Sequence, residues 1–238
     1  MPGVFITATS KNIGKTVLTT CLTYALNKKG IDTVPYKPVQ CGAIQKDGSW
    51  VSPDAEVYRN VYQPRNEEEI NTYLYKPRFS PHLAAQLAND PINPKKILSN
   101  YEKLEQDHDF VLVEGPGGLA VPLIDEHYGN AELVKDLNLP LFVVASAEVG
   151  TLNHTVMTVS YARSKHIDVQ GIILNQYPEH PSEGIQENPV MLEKMTGVPV
   201  IGMVPHVDDI ETKLKDKAVL DIMTENIDVD YIANESNS

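Results

Sequence analysis

The stretch Phe5-Ile-Thr-Ala-Thr-Ser-Lys-Asn-Ile-Gly-Lys-Thr16 places a lysine and a threonine hydroxyl directly behind a glycine. A β-branched run precedes it and a helical pattern follows. The N-terminus of a helix presents unpaired N–H groups and the positive end of its dipole, a natural seat for an anion. Lys15 is then placed to reach the β- and γ-phosphates of a nucleotide, and the Thr16 hydroxyl to ligate a divalent cation. Gly-Lys-Thr alone is a common tripeptide, and a βα turn with an incidental lysine is the plain alternative. Its place between a strand and a helix favours a nucleotide loop, with Asn12, Ile13, Gly14 and Val17 around the lysine. One residue departs from the usual pattern, since Ala8 stands where a glycine ordinarily begins such a loop.

Other polar residues fall at the ends of apolar runs. Lys37 heads Lys37-Pro38-Val39-Gln40-Cys41-Gly42, and in a parallel sheet the ligand crevice lies beyond the strand C-termini. Taken alone, such a lysine is more often a surface charge. Asp54 begins Asp54-Ala55-Glu56, where a carboxylate usually caps a helix. Glu114 closes the apolar run Phe110-Val-Leu-Val-Glu114 and leads into Gly115-Pro-Gly-Gly118, as the acidic Mg²⁺ partner of a phosphate loop does. Ser80-Pro81 reads as the capped start of a helix. Ala147–His154 follows an apolar run and opens another helix, whose terminus suits a carboxylate. His127, His154 and His206 form no metal-ligand spacing, and neither a Cys-His nor a Ser-His-Asp set emerges.

Six short apolar runs must position these groups: Val4–Ala8, Thr33–Val39, Phe110–Glu114, Leu141–Ala147, Gly171–Asn175 and Val198–Val204. Several lack polar alternation, as strands covered on both faces do. Between them lie helical patterns, such as Val17, Leu18, Cys21, Leu22, Ala25 and Leu26 on one face, with a stop at Gly30. Strands alternating with helices predict an α/β fold with a mostly parallel sheet and helices on both faces. The 238 residues are 42% hydrophobic, enough to offset chain ordering, and no linker divides them, so residues 1–238 are expected to form a single domain with Ala233–Ser238 frayed. A net charge of −12 argues against nucleic acid or anionic membrane as partner. Nine carboxylates against three lysines from Asp208 onward read as a solvated surface. Two cysteines, no signal-like N-terminus and no long apolar run point to a reducing cytoplasm.

The ordered set Phe5-Ile-Thr…Ile13-Gly-Lys-Thr16, Lys37-Pro-Val39, Asp54-Ala55, Ser80-Pro-His-Leu-Ala-Ala85, Val113-Glu-Gly-Pro-Gly-Gly-Leu119, Gly150-Thr-Leu-Asn-His-Thr155 and Gly171-Ile-Ile-Leu-Asn175 resembles dethiobiotin synthetase. The phosphate loop is widespread, whereas the ordered conjunction is specific and covers most of the chain. The resemblance implies a P-loop nucleotide-hydrolase fold of about seven parallel strands. It also implies a homodimer with the substrate near the subunit boundary, and the conversion of 7,8-diaminopelargonate, CO₂ and ATP, with Mg²⁺, to dethiobiotin through a carbamate and its phosphoric anhydride. Carried over residue by residue, Lys15 and Lys37 neutralise the γ-phosphate and carbamate, and Thr16, Asp54 and Glu114 hold Mg²⁺. Lys11, Cys41, Gly117 and Gly118 then adjoin the substrate. Thr151, Leu152 and Asn153 of a neighbouring subunit take its carboxylate. Asn175 reads adenine, with Pro205, His206 and Val207 beside it.

Departures from the family fall on the substrate side of the loop. Ala8-Thr9-Ser10-Lys11 replaces Gly-Thr-Asp-Thr, and Cys41 stands where the family carries Ser or Thr, a poorer hydrogen-bonding group. Two alternatives share the phosphate loop. Amidotransferase-type or cobyrinate-like synthetases usually carry a further glutaminase domain, for which this chain has no room. Regulatory or partitioning ATPases, or a nucleotide-binding paralogue without synthesis, form the other class. Those ATPases place a second lysine one position before Lys11, where this chain has Ser10.

Overall fold

Each of the six apolar runs supplies one strand to a single sheet in the computed structural model, which describes residues 3–235. The chain runs β1 (Gly3–Ala8), α1 (Lys15–Lys28), β2 (Thr33–Tyr36), β3 (Val39–Cys41), β4 (Ile44–Lys46), β5 (Ser49–Val51), α2 (Pro53–Tyr58) and β6 (Tyr73–Tyr75). It continues through α3 (Pro81–Ala88), α4 (Pro94–Asp107), β7 (Phe110–Glu114), β8 (Pro122–Asp125), β9 (Tyr128–Gly129), α5 (Asn130–Leu137), β10 (Leu141–Ser146) and α6 (Thr151–Ser164). The last elements are β11 (Val169–Tyr177), α7 (Glu183–Thr196), β12 (Val200–Pro205), α8 (Ile210–Lys213), α9 (Lys217–Thr224) and α10 (Val229–Glu235).

The main sheet has the order β12-β11-β10-β1-β7-β2, with every pair parallel. It holds six strands among the described residues rather than about seven, and Ile227 adds only a single antiparallel bridge to Gly202. Successive strand residues point to opposite faces. Phe5, Val111, Val113, Val143 and Ile172 pack with α3–α7, while Val4, Ile6, Leu112, Val144 and Ile173 pack with α1, α9 and α10. Both faces are therefore covered, which is why these strands read as unbroken apolar runs. Strand order reverses around β1, so the crevice opens beyond its C-terminal end.

Three expectations change. The run Thr33–Val39 is two strands, because Pro38 has no N–H to continue the ladder. The Lys37 N–H turns instead to the Ile70 carbonyl at 2.7 Å, and β3 pairs with β6 in a separate two-stranded sheet. The acidic C-terminal region is only half a solvated surface. Its Leu214, Leu220, Met223, Ile227, Val229 and Ile232 are buried, and Asp221 and Asp230 pair with Lys28 and Lys29 at 2.5 and 2.7 Å. Of the tail expected to fray, Ala233–Glu235 completes α10, while Ser236, Asn237 and Ser238 lie outside the described residues, as do Met1 and Pro2 of the N-terminal stretch. No helix among the described residues is long and apolar enough to cross a membrane.

Candidate active site

The loop from Thr9 to Gly14 leaves the C-terminal end of β1 and turns into α1 at Lys15. Its unusual backbone is concentrated at Asn12 (φ 59°) and Gly14 (φ 84°). Asparagine tolerates the left-handed region better than most residues, and glycine enters it freely. A Cβ on Gly14 would also collide with the Asn175 amide nitrogen. Ala8 is still a β1 residue with extended pairing to Val144, so the alanine in place of the customary glycine strains nothing. Ile13 is buried and anchors the loop, and its carbonyl accepts a 2.6 Å hydrogen bond from the Asn175 amide at the end of β11.

Five side chains meet where α1, α2 and the C-terminal ends of β2 and β7 converge. Glu114 ends β7 opposite Ile6 and is wholly buried. Its Oε1 accepts from Lys37 Nζ at 2.6 Å and Thr16 Oγ1 at 3.1 Å, and its Oε2 from the Tyr58 hydroxyl at 2.6 Å. Lys37 Nζ lies 2.6 Å from Asp54 Oδ2 as well, so one ammonium bridges both carboxylates. Asp54 does not cap α2, as the sequence had suggested. Ser52 holds that position, its hydroxyl accepting from the Ala55 N–H at 3.1 Å, which frees Asp54 to face Lys37. Burial, desolvating both partners, opposes charge on Lys37 and Glu114. The Asp54 and Glu114 carboxylates overcome it and hold the Lys37 pKa above the ordinary lysine range. Lys37 and Lys15 likewise hold Glu114 below the ordinary carboxylate range. Burial and the Glu114 charge keep the Tyr58 phenol well above its usual value, hence protonated.

Lys15 differs. It is 8% exposed and forms no hydrogen bond or ion pair among the described residues. Burial lowers its pKa from 10.5 to about 8, against the pull of Glu114. A buried ammonium without a contact partner at a helix N-terminus is a site prepared for an incoming anion.

Around this cluster lies a cavity of about 920 Å³. Lys11, Asn12, Gly14, Lys15, Thr16, Val17, Lys37, Cys41, Asp54, Glu114, Gly117, Asn175, Pro205, His206 and Val207 all line it. The expected phosphate, metal and base groups are thus brought to one space. Ile13 and Gly118 do not line it. Ile13 contributes its carbonyl to the brace just described, and the bare Cα of Gly118 faces the Ala8 carbonyl, 3.1 Å from where a Cβ would lie. Thr151, Leu152 and Asn153 are also absent from this wall. Thr151 is buried, with its hydroxyl unpartnered, and Leu152 packs on the core, while Asn153 is exposed beyond Val149, which is 99% exposed. Lys11 is exposed at the cavity, with no hydrogen bond or ion pair among the described residues. Burial pushes the Cys41 thiol up to about 11, against the attraction of Lys37 and Lys11.

Sequence reasoning missed Tyr58, Arg78 and Asn130. Tyr58 is reached only through folding, as α2 meets β7. Arg78 lines the cavity beside Cys41 and Gly42. Asn130 is buried, and its amide nitrogen donates to the Pro116 and Gly118 carbonyls at 2.8 Å each, holding the glycine turn behind Glu114.

A family model described as an AAA domain matches residues 2–213. The ATP-dependent dethiobiotin synthetase BioD of Anoxybacillus flavithermus is 47% identical over 87% of this chain and 92% of its own length. That of Halalkalibacterium halodurans is 39% identical over 89% and 88%. Among solved structures, a ParA family ATPase from Chlorobium tepidum superposes with a TM-score of 0.59 at 12% identity, covering 98% of this chain and 96% of that one. The MinD cell division protein of Aquifex aeolicus gives 0.59 at 12%, covering 100% and 96%. These two likenesses speak to the fold, a P-loop α/β architecture with a parallel central sheet.

Proposed function

The chain belongs to the ATP-dependent dethiobiotin synthetase family, and we propose that its cavity closes the ureido ring of dethiobiotin from 7,8-diaminopelargonate, CO₂ and ATP. One amine of the substrate adds to CO₂ and loses a proton, giving a carbamate. A carbamate oxygen attacks the γ-phosphorus and ADP departs. The second amine then attacks the carbonyl carbon of the mixed anhydride, and inorganic phosphate leaves. Such chemistry asks the protein chiefly for alignment and charge neutralisation.

The observation that carries this reading is the pairing of Lys15 with Lys37, two buried ammonium groups at one end of a nucleotide-sized cavity. Lys15, lacking a contact partner, takes the β- and γ-phosphates. Lys37, at the end of β2, faces the γ-phosphate and the carbamate. Thr16, Asp54 and Glu114 form an all-oxygen donor set of the kind Mg²⁺ prefers, and the Lys37 ammonium already bridges the two carboxylates where positive charge is stabilised. When bound, Mg²⁺ would supply further neutralisation of the phosphate oxygens. The Asn175 amide nitrogen is engaged with Ile13, which leaves its oxygen to accept from the 6-amino group of adenine, a group that guanine lacks. Lys11, Cys41 and Gly117 face the substrate, and Gly118 supports them from behind.

The α6 N-terminus, with Thr151, Leu152 and Asn153, is not on this chain's own cavity wall. We assign it to the substrate carboxylate in a second subunit of a homodimer. The deciding experiment is mass detection of dethiobiotin from purified protein with diaminopelargonate, bicarbonate and MgATP. ADP should form only when the diamine and bicarbonate are both present. ATP hydrolysis indifferent to them would overturn the synthetase reading in favour of a regulatory ATPase.

A further inference from the structure

Tyr58 has no part in the reaction as described, yet its hydroxyl is committed to the central carboxylate of the site. The side chain is wholly buried between Ala55 and Ile70, and its hydroxyl donates to Glu114 Oε2 at 2.6 Å. The other oxygen, Oε1, receives Thr16 and Lys37. Those two donors are the groups that the proposed reaction needs for metal and phosphate. Once they turn to a nucleotide, the phenol is the hydrogen bond that stays with Glu114. A carboxylate held at one oxygen keeps the other aimed, whereas one without that bond is free to rotate about its last torsion.

We propose that Tyr58 is a positioning residue for the metal–nucleotide complex, fixing Glu114 Oε2 so that Oε1 faces Thr16 and the phosphate loop. The role rests on the assignment of Glu114 to MgATP made above, and it acts wholly through that carboxylate. Tyr58→Phe removes one oxygen atom and leaves the ring packed.

ATP affinity would be measured calorimetrically with Mg²⁺ and with chelator, for the parent, Tyr58→Phe, Glu114→Gln and the double variant. Loss of a hydrogen bond to a charged group predicts MgATP binding weaker by about tenfold or more in Tyr58→Phe. Binding of ATP in chelator should be unchanged. In the Glu114→Gln background, Tyr58→Phe should add nothing, because the pair is coupled. If Tyr58→Phe binds MgATP as the parent does, or loses the same factor in both backgrounds, the positioning role is wrong. A parent whose ATP affinity ignores Mg²⁺ overturns the metal assignment itself, and this role with it. Should the phenylalanine variant fail to fold, Tyr58→Leu, which also lacks the hydroxyl and keeps an apolar side chain there, takes its place in the same cycle.

Discussion

Replacing Lys15 with methionine should abolish nucleotide binding and at the same time make the protein harder to unfold. Lys15 is 8% exposed, and burial lowers its pKa from 10.5 to about 8. Each factor of ten in proton affinity corresponds to about 1.4 kcal/mol, so holding this ammonium in the folded chain costs about 3 kcal/mol at pH 7. The folded-state pKa lies below the unfolded one, so between pH 8 and 10.5 the unfolded chain binds more protons. Through that window the penalty is relieved as pH rises, falling to about half at pH 9.5. Methionine has a similar stem and no charge, and Lys37 still neutralises Glu114 in the variant. Urea unfolding of parent and Lys15→Met at the two pH values gives the difference directly. The variant should be more stable by about 3 kcal/mol at pH 7 and by about half that at pH 9.5. A variant no more stable than the parent at pH 7, or a difference that does not change with pH, would refute the claim that a charged lysine is held there against desolvation.

Asn175→Ala removes the brace on the Ile13 carbonyl together with the proposed adenine acceptor, so ATP affinity should fall by about 1–3 kcal/mol and discrimination against GTP should narrow. Competition binding with the two nucleotides reads both effects, and unchanged discrimination would remove Asn175 from base recognition. Mixing inactive Lys15→Ala chains with inactive Asn153→Ala chains should restore activity in hybrid dimers. No recovery after verified subunit exchange would mean that each chain holds a self-contained site. Lys11→Ala should weaken nucleotide or substrate binding more than loss of an exposed lysine normally does, and Lys11→Thr with Cys41→Ser should recover it. Steady-state kinetics indistinguishable from the parent would make Lys11 a solvent-facing residue.

The main sheet was readable because its strands are covered on both sides, so each wrote itself as an apolar run. The phosphate loop was readable because its chemistry is local, packed into residues that stay neighbours after folding. For Asp54, position alone suggests a helix cap beside the Mg²⁺ role that the family resemblance implies. The Ser52-Pro53 pair ahead of it carries the same start signal as Ser80-Pro81 and was the better indicator. Tyr58 could not be read at all. A tyrosine on a short helix is ordinary until α2 lies against the end of β7, and nothing between the two elements in the chain records that meeting. The small strands β8 and β9 were invisible for a related reason, being too short for any period to show. The buried half of the C-terminal region was hidden by its charges, although Leu220, Met223 and Ile227 had helical spacing.

The break at Pro38 has a consequence for how this protein can change over evolutionary time. Glu114 ends β7 of the main sheet, and Lys15 opens α1 behind the loop that leaves β1. Beyond Pro38, Val39, Gln40 and Cys41 belong to the β3–β6 pair, whose ladder is separate, and Ile44 begins a hairpin of its own. One wall of the cavity therefore hangs on an outrigger beside the nucleotide machinery. Substitutions on that wall, such as cysteine at position 41, change the cavity lining at a place outside the strand register behind the phosphate loop. That wall can therefore change its side chains while the hydrogen-bonded ladder of the main sheet stays as it is.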